Sequence, residues 1–299
     1  MLEIKLILCP VDFSEFSIAA HHHALSLAEH YRAKLVAQHI VELWRYPYAD
    51  YAASAGDYKE FCRALVEGGK EQLQEFVKKQ ARDEIQPELV VHQGAAADCI
   101  LSLAQARKAD LIAMGTHGRR GFDRLVLGSV TDRVMRTAPC PVLIISRPPQ
   151  ESMAAAEGRS IHRLNHRLNR ILFCTDFSEN SARALTYAIS ATGEYDAELT
   201  PLHVLEEVSG PAETKQAIAA ATEQLDKLIP LAERKTLRTR TTVRIGKPYQ
   251  QIIQFAEEAR IDMVTMGVSG RGALDRAVFG STTYRVIQLG PCPVLAVHA

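Results

Sequence analysis

The chain carries the same segment twice. Ile7-Leu8-Cys9-Pro10-Val11-Asp12-Phe13-Ser14-Glu15 returns as Ile171-Leu172-Phe173-Cys174-Thr175-Asp176-Phe177-Ser178-Glu179. Met114-Gly115-Thr116-His117-Gly118-Arg119 returns as Met266-Gly267-Val268-Ser269-Gly270-Arg271, and Pro139-Cys140-Pro141-Val142-Leu143 as Pro291-Cys292-Pro293-Val294-Leu295. Roughly half of the residues from Met114 to Ile145 equal their counterparts without a gap. Such self-similarity calls for two copies of one folding unit. The offset is 164 residues early on (Asp12 against Asp176) and 152 later (Gly115 against Gly267), so the first copy holds 12 more residues between its second and third strands. Their expected place is Trp44 to Asp57, which contains the only Trp and several Tyr. That segment reads as a longer loop packing its own aromatics, or as a lid or partner surface.

Composition narrows the function classes. At 299 residues the chain has room for two domains, expected at 1–147 and 169–299 with a linker at 148–168. Hydrophobic residues make up 47% and charged ones 23%, which excludes wholesale disorder. Lys+Arg and Asp+Glu are both 35, and a zero net charge argues against nucleic acid or a membrane surface as partner. Met1-Leu2-Glu3-Ile4-Lys5 runs straight into a strand-like stretch without the pattern of a signal peptide. No run reaches the roughly 18 apolar residues of a membrane span. The six cysteines are scattered with no CxxC pair, which reads as reduced thiols and a cytoplasmic setting.

Each copy alternates strand and helix. In the first, Lys5–Val11, Lys34–Val41, Glu88–His92, Leu111–Gly115 and Val142–Ser146 read as strands. Between them lie a helix carrying Ala20, Ala24, Leu27, Ala28 and Tyr31, a long polar-faced helix to about Arg82, and helices over Asp98–Lys108 and Gly128–Thr137. The second copy repeats this order from Arg170 to Val297. Alternation of this kind predicts an α/β fold, a doubly wound parallel sheet of five strands in each copy. Arg147-Pro148-Pro149 ends the first copy. The following small, polar stretch and the doubled His-Arg-Leu-Asn at 162–169 read as a solvated linker, with contact to a phosphate or acidic partner as the alternative.

The glycines carry the strongest chemical signal. Gly115-x2-Gly118-x9-Gly128-Ser129 recurs as Gly267-x2-Gly270-x9-Gly280-Ser281, each time between the end of an apolar strand and the start of a helix. Backbone N–H groups and a helix N-terminus in that setting bind phosphate, and glycine lets the main chain approach it. Ser129 and Ser281 fit either a cap or a phosphate-directed hydroxyl, and Arg119 and Arg271 fit charge neutralisation. Asp12 and Asp176 stand just past the first strand, at the edge where open α/β sheets take ligands. Such a carboxylate fits ribose hydroxyls or an adenine amino group. Capping the next helix is its other role, for which Ser14 and Ser178 compete.

These motifs together resemble the universal stress protein family in its tandem two-domain form, over nearly the whole chain apart from the linker and the Trp44 insertion. The resemblance implies an adenine nucleotide alpha hydrolase-like sandwich, strand order 3-2-1-4-5, with ATP as cofactor, with or without Mg2+. Carried over, Pro10, Val11, Asp12 and Ile40 line the first adenosine pocket, and Thr175, Asp176 and Val204 the second. Met114, Gly115, Gly118, Arg119, Gly128, Ser129 and Val130 then meet the first ribose-triphosphate, and Met266, Gly267, Gly270, Arg271, Gly280, Ser281 and Thr282 the second. Both sites keep their glycines. Cys174 replaces Pro10, Thr175 replaces Val11, and His117 with Arg119-Arg120 makes the first loop bulkier, so the second site is the less hindered.

Other chemistries lack their motifs. There is no GxxxxGK[ST], HExxH or GxSxG, and Gly246-Lys247-Pro248 lacks the partners of a P-loop. His21-His22-His23 on one helix point in different directions and do not converge on a metal. Cys140 and Cys292 read as small buried thiols. The expected function is that of a nucleotide-responsive regulator in stress, with at most weak ATP hydrolysis and no catalytic residue or metal site assigned. The alternatives are a slow ATPase or nucleotidyl transferase, and a small-ligand scaffold that uses no nucleotide. Expected partners are adenine nucleotide and a regulatory protein, not nucleic acid or membrane. The apolar last strands at 142–145 and 294–297 would be exposed if either copy stood alone, and the resemblance implies that they pair within the chain as a pseudo-dimer, with a homodimer of chains left open.

Overall fold

A computed structural model describes residues 3–43, 55–80, 85–116, 127–146, 168–206, 210–268 and 280–298. Gly118, Arg119, Gly270 and Arg271, most of the Trp44 segment and most of the linker lie outside the described residues. The first repeat runs β1 (Leu6–Val11), α1 (Glu15–Tyr31), β2 (Lys34–Val41), α2 (Ala55–Lys79), β3 (Glu88–Gln93), α3 (Ala96–Arg107), β4 (Leu111–Gly115), α4 (Ser129–Thr137) and β5 (Val142–Ile145). The second runs β6 (Arg170–Cys174), α5 (Glu179–Tyr195), β7 (Glu198–Leu205), α6 (Pro211–Leu228), α7 (Leu231–Arg234), β8 (Arg238–Thr239), β9 (Thr242–Ile245), α8 (Pro248–Glu258), β10 (Met263–Gly267), α9 (Ser281–Leu289) and β11 (Val294–Val297). No helix among the described residues is long and apolar enough to cross a membrane.

The strand order is β3-β2-β1-β4-β5 in the first repeat, as expected. Pairings of β1 with β2 and β4, and of β2 with β3, are all parallel. Helices cover such a sheet on both faces, which is why β1 reads as one unbroken apolar run with all but Leu6 buried. Small residues let α1 lie close: Ala19, Ala20, Ala24 and Ala28 have no exposed surface. Residues 3–140 form one compact unit, and residues 141–146 join 168–298 in the other. Within that second unit β5 lies antiparallel to β11, with Val294↔Ile144, Leu295↔Leu143 and Ala296↔Val142 in register.

Two prolines explain where the copies differ in pairing. The Leu6 carbonyl accepts from the Asp110 N–H at 2.9 Å, so alternate residues of β1, Pro10 included, turn their backbone groups toward β4. Proline has no N–H to give, and the pairing stops at Leu8↔Ile112. Cys174 takes that place in the second copy, where pairing continues to Met266↔Cys174. Pro201 does the same on the other side of β7. Arg240 N–H donates to the Leu199 carbonyl at 3.0 Å, so residues 199 and 201 face the third strand. The third strand accordingly breaks into β8 and β9, although the register from Leu199↔Thr239 to Leu202↔Thr242 is unbroken.

The 12 extra residues lie between Val41 and Leu73, a stretch that includes the Trp44 segment, most of it outside the described residues. Leu73 of α2 and Leu225 of α6, both with no exposed surface, stand 152 apart, so the insertion precedes them. At the amino ends of the first strands, the Asp110 carboxylate accepts from the N–H groups of Lys5 (2.8 Å) and Leu6 (2.9 Å), and Asp262 from Asn169 (2.7 Å) and Arg170 (2.9 Å). These aspartates pin the start of each first strand. Cys140 and Cys292 are both buried, as expected. Burial pushes the thiols of Cys9 and Cys140 up to about 12, so both stay protonated at neutral pH.

Thr265 in β10 is fully buried, and its hydroxyl has no hydrogen-bond partner among the described residues. Its counterpart in the first copy is Ala113. A buried hydroxyl without a partner costs about 1–3 kcal/mol. Thr265→Val, which keeps the shape, is therefore expected to stabilise the protein by about 1 kcal/mol in urea denaturation. Equal or lower stability of the variant would contradict that account.

Candidate functional site

The carboxyl ends of β2, β1 and β4 share one edge because the strands are adjacent and parallel. The N-termini of α1 and α4 come to the same edge, and each is held there by named bonds. Ser14 is the N-cap of α1: its Oγ accepts from Ser17 N–H at 3.2 Å. Asp12 does not cap the helix itself. Its Oδ1 accepts from the Ser14 N–H (3.1 Å) and the Ser14 hydroxyl (2.6 Å), closing a tight turn. Ser178 and Asp176 repeat this, with Oδ1 accepting from the Ser178 N–H at 3.0 Å and its hydroxyl at 2.6 Å. Of the two candidates for the cap, serine takes the role and aspartate orients it.

The glycine loop ends in a different kind of helix start. Gly128 is the N-cap of α4 and Gly280 of α9, neither with a side-chain cap hydrogen bond. Ser129 and Ser281 therefore stand one place inside, exposed, and do not cap. The first N–H groups of such a helix have no acceptor within it and carry the positive end of its dipole. The start is clamped to the strand. Gly128 N–H donates to the Thr116 carbonyl at 2.9 Å, and Thr131 Oγ1 donates to the Gly115 carbonyl at 2.9 Å. Gly280 to Val268 and Thr283 to Gly267 repeat both bonds at 2.9 Å.

Gly115 and Gly267 are needed for close packing. A Cβ on Gly115 would lie 2.6 Å from Phe16 Cβ and 2.9 Å from its carbonyl carbon, in the first turn of α1. On Gly267 it would lie 3.0 Å from the Asn180 backbone. The bare strand end thus brings the Asp12 turn and the start of α4 to one place. Pro10, Val11 and Met114 are buried behind them, while Asp12, Ile40, Gly115, Gly128 and Val130 are half-buried at the edge. Thr175 and Met266 are buried, and Asp176, Val204, Gly267, Gly280 and Thr282 half-buried, in the second copy.

The copies differ below this edge. Thr175 Oγ1 lies 2.8 Å from Ser181 Oγ and accepts from the Phe177 N–H at 2.9 Å, so its hydroxyl is engaged within the turn. Val11 has no such group. On the face that Ile40 shares, the first copy buries Gln38, whose amide nitrogen donates to the Cys99 carbonyl at 3.1 Å and lies 2.9 Å from His92 Nδ1. Leu202 fills that position beneath Val204. His21 packs edge-on to Phe76 at 5.3 Å, and His22 Nε2 meets Gln80 Oε1, so both rings lie against α2 and the residue that follows it.

Thr131, Thr283, His39 and His203 belong to none of the motifs that the sequence singles out, and Phe13 and Phe177 stand in the first repeated segment without a role assigned to them. Each recurs at an offset of 152 or 164, which is the signal that could have found them.

The sequence profile of the universal stress protein family matches residues 3–146 and again 167–298. The chain belongs to the universal stress protein family. A universal stress protein of Methanocaldococcus jannaschii is 37% identical over 150 residues, covering 49% of this chain and 85% of the relative. One from Thermus aquaticus is 32% identical over 141 residues, 47% of this chain and 98% of its own length. The crystal structure of a universal stress protein from Archaeoglobus fulgidus covers 99% of both chains with a TM-score of 0.72 at 22% identity, a likeness of fold. Each sequence relative thus matches about half of this universal stress protein, as a tandem of two such domains requires.

Proposed function

We propose that each repeat binds an adenine nucleotide at this edge and that the protein acts as a nucleotide-responsive regulator. The observation that carries the reading is the start of α4 and of α9. Both have a glycine N-cap without a side chain, first-turn N–H groups directed outward, and a threonine bond to the adjoining strand. An anion fits there, because these donors are already fixed in place. The N–H groups of Ser129 and Val130, and of Ser281 and Thr282, would meet the phosphates. Ile40 and Val204 offer apolar surface to the base, and Asp12 and Asp176 offer a carboxylate to the ribose. Six free thiols support a reducing, cytoplasmic setting. Release of the γ-phosphate of ATP would require a positioned base, and among the described residues of this edge none is assigned that role.

Gly280→Val and Asp176→Ala test the reading by calorimetric titration with ATP. Gly280 has φ −65 and ψ 128, which valine adopts freely, so the fold is expected to stand. The branched side chain obstructs the phosphates, and ATP affinity at the second site is expected to fall by at least tenfold, about 1.4 kcal/mol. Asp176→Ala removes a charged acceptor and is expected to cost a similar factor. A wild-type protein that binds no added ATP, and releases none on denaturation, refutes the reading. Turnover well above buffer hydrolysis, lost in Asp176→Ala, would establish an enzyme instead.

A further inference from the structure

His39 and His203 touch both neighbours of the site aspartate. His39 Nδ1 lies 2.8 Å from the Val11 carbonyl oxygen, and its ring centroid lies 4.5 Å from that of Phe13 at a tilt of 40°. His203 Nδ1 lies 2.8 Å from the Thr175 carbonyl oxygen, and its ring is 4.5 Å and 41° from Phe177. A carbonyl only accepts, so Nδ1 carries the proton in each ring. Asp12 is thereby bracketed by one side chain, which holds the residue before it by a hydrogen bond and the residue after it by ring contact. Asp176 is bracketed in the same way.

The bracket encloses an unfavourable turn. Phe13 has φ 65 and Phe177 φ 62, the left-handed region that bulky residues avoid. Among the described residues, the other non-glycine cases are Arg32, Lys108, Asp196 and Arg260, all at or just after helix ends. Only the two phenylalanines adopt it ahead of a helix. Strain of this kind persists where the surroundings over-determine it, and at an edge built for a ligand it points to function.

What supports the turn differs between the copies, and what results does not. In the first, Phe76 of α2 meets the Phe13 ring at 5.7 Å, and Gly69 lies so near that a Cβ would come within 3.2 Å of His39 Cδ2. In the second, Thr175 Oγ1 accepts from the Phe177 N–H at 2.9 Å. Histidine, phenylalanine angle and aspartate turn are the same in both.

We propose that His39 and His203 are positioning residues that hold the carboxylates of Asp12 and Asp176 in the direction a bound nucleotide needs. The proposal rests on the nucleotide reading above. Replacing both histidines by asparagine keeps an N–H donor where Nδ1 stands; replacing both by glutamine moves the donor one bond outward, past the carbonyl. His39→Asn with His203→Asn is expected to bind ATP within about threefold of wild type. His39→Gln with His203→Gln is expected to bind roughly tenfold more weakly at a similar melting temperature, since contacts to a charged group are strong and directional. A merely structural histidine would not separate the two pairs. If the glutamine pair loses its fold, His203→Gln alone, read by binding stoichiometry, takes its place. Equal affinity of wild type, asparagine and glutamine chains overturns the positioning role and leaves the nucleotide reading standing. Failure of wild type to bind ATP overturns both.

Discussion

Gly115→Ala is expected to destabilise the first repeat by about 3 kcal/mol, and Gly267→Ala the second by about 1 kcal/mol, the range of overpacking costs. The new methyl group at Gly115 would sit 2.6 Å from Phe16 Cβ, with the Phe16 carbonyl carbon at 2.9 Å and its oxygen at 3.0 Å. These are atoms of a helix turn, so no side-chain rotation relieves the clash and α1 must move away from β4. At Gly267 the nearest atoms are the Asn180 carbonyl carbon and oxygen, both at 3.0 Å, which a shift of a few tenths of an ångström accommodates. For a domain of this size 1 kcal/mol corresponds to about 2–4 °C, so Gly115→Ala is expected to lower its repeat's melting temperature by roughly 10 °C. Differential scanning calorimetry measures both. A smaller effect at Gly115 than at Gly267 would show that the contact is not the limiting one. The same displacement shifts the Asp12 turn from the α4 start, so weaker ATP binding is expected to accompany the lower melting temperature.

Recurrence within the chain made the fold legible. Apolar runs that return at a fixed offset, separated by helical spacing, leave little besides a doubly wound sheet. Recurrence does not by itself say what a residue does. Asp12/Asp176 and Asp110/Asp262 all recur, yet the first pair sits at the carboxyl ends of the strands and the second pins strand starts at the other end. Position relative to strand direction separates them, and that follows from the strand assignment. Ser129 shows a finer limit. Next to a glycine before a helix it reads equally as cap or N1, and only the backbone angles decide for N1. The roles of Thr131 and His39, whose recurrence was visible, lay beyond reach for a different reason. Thr131 Oγ1 bonds to a carbonyl 16 residues away and His39 Nδ1 to one 28 residues away. Such bonds exist only once strands and helices have been brought together. Pro10 and Pro201 were visible as letters, but their effect depended on which neighbour their missing N–H faced.

A chain beginning at residue 168 is expected to self-associate. It would lack β5, which covers β11 along Val294↔Ile144, Leu295↔Leu143 and Ala296↔Val142. All four residues of β11 are buried with β5 in place, and so are all four of β5. Removing β5 leaves a row of unpaired backbone groups flanked by Val294, Leu295, Ala296 and Val297, the kind of edge that recruits another strand. A second copy offers the same edge, and two antiparallel β11 strands satisfy each other, since an antiparallel pair is symmetric by a two-fold rotation. Sedimentation is expected to give twice the fragment mass or larger species. A synthetic peptide of residues 141–146, added in excess, is expected to return the fragment to a single-copy species by adding the missing strand. Leu295→Pro tests the route without the peptide, because a proline withdraws an N–H from the ladder and projects its ring into it. That variant is expected to lose the paired form. A fragment that stays folded and single at micromolar concentration would mean that β11 is protected by something other than β5, and the assignment of residues 141–146 to the second folding unit would then be wrong.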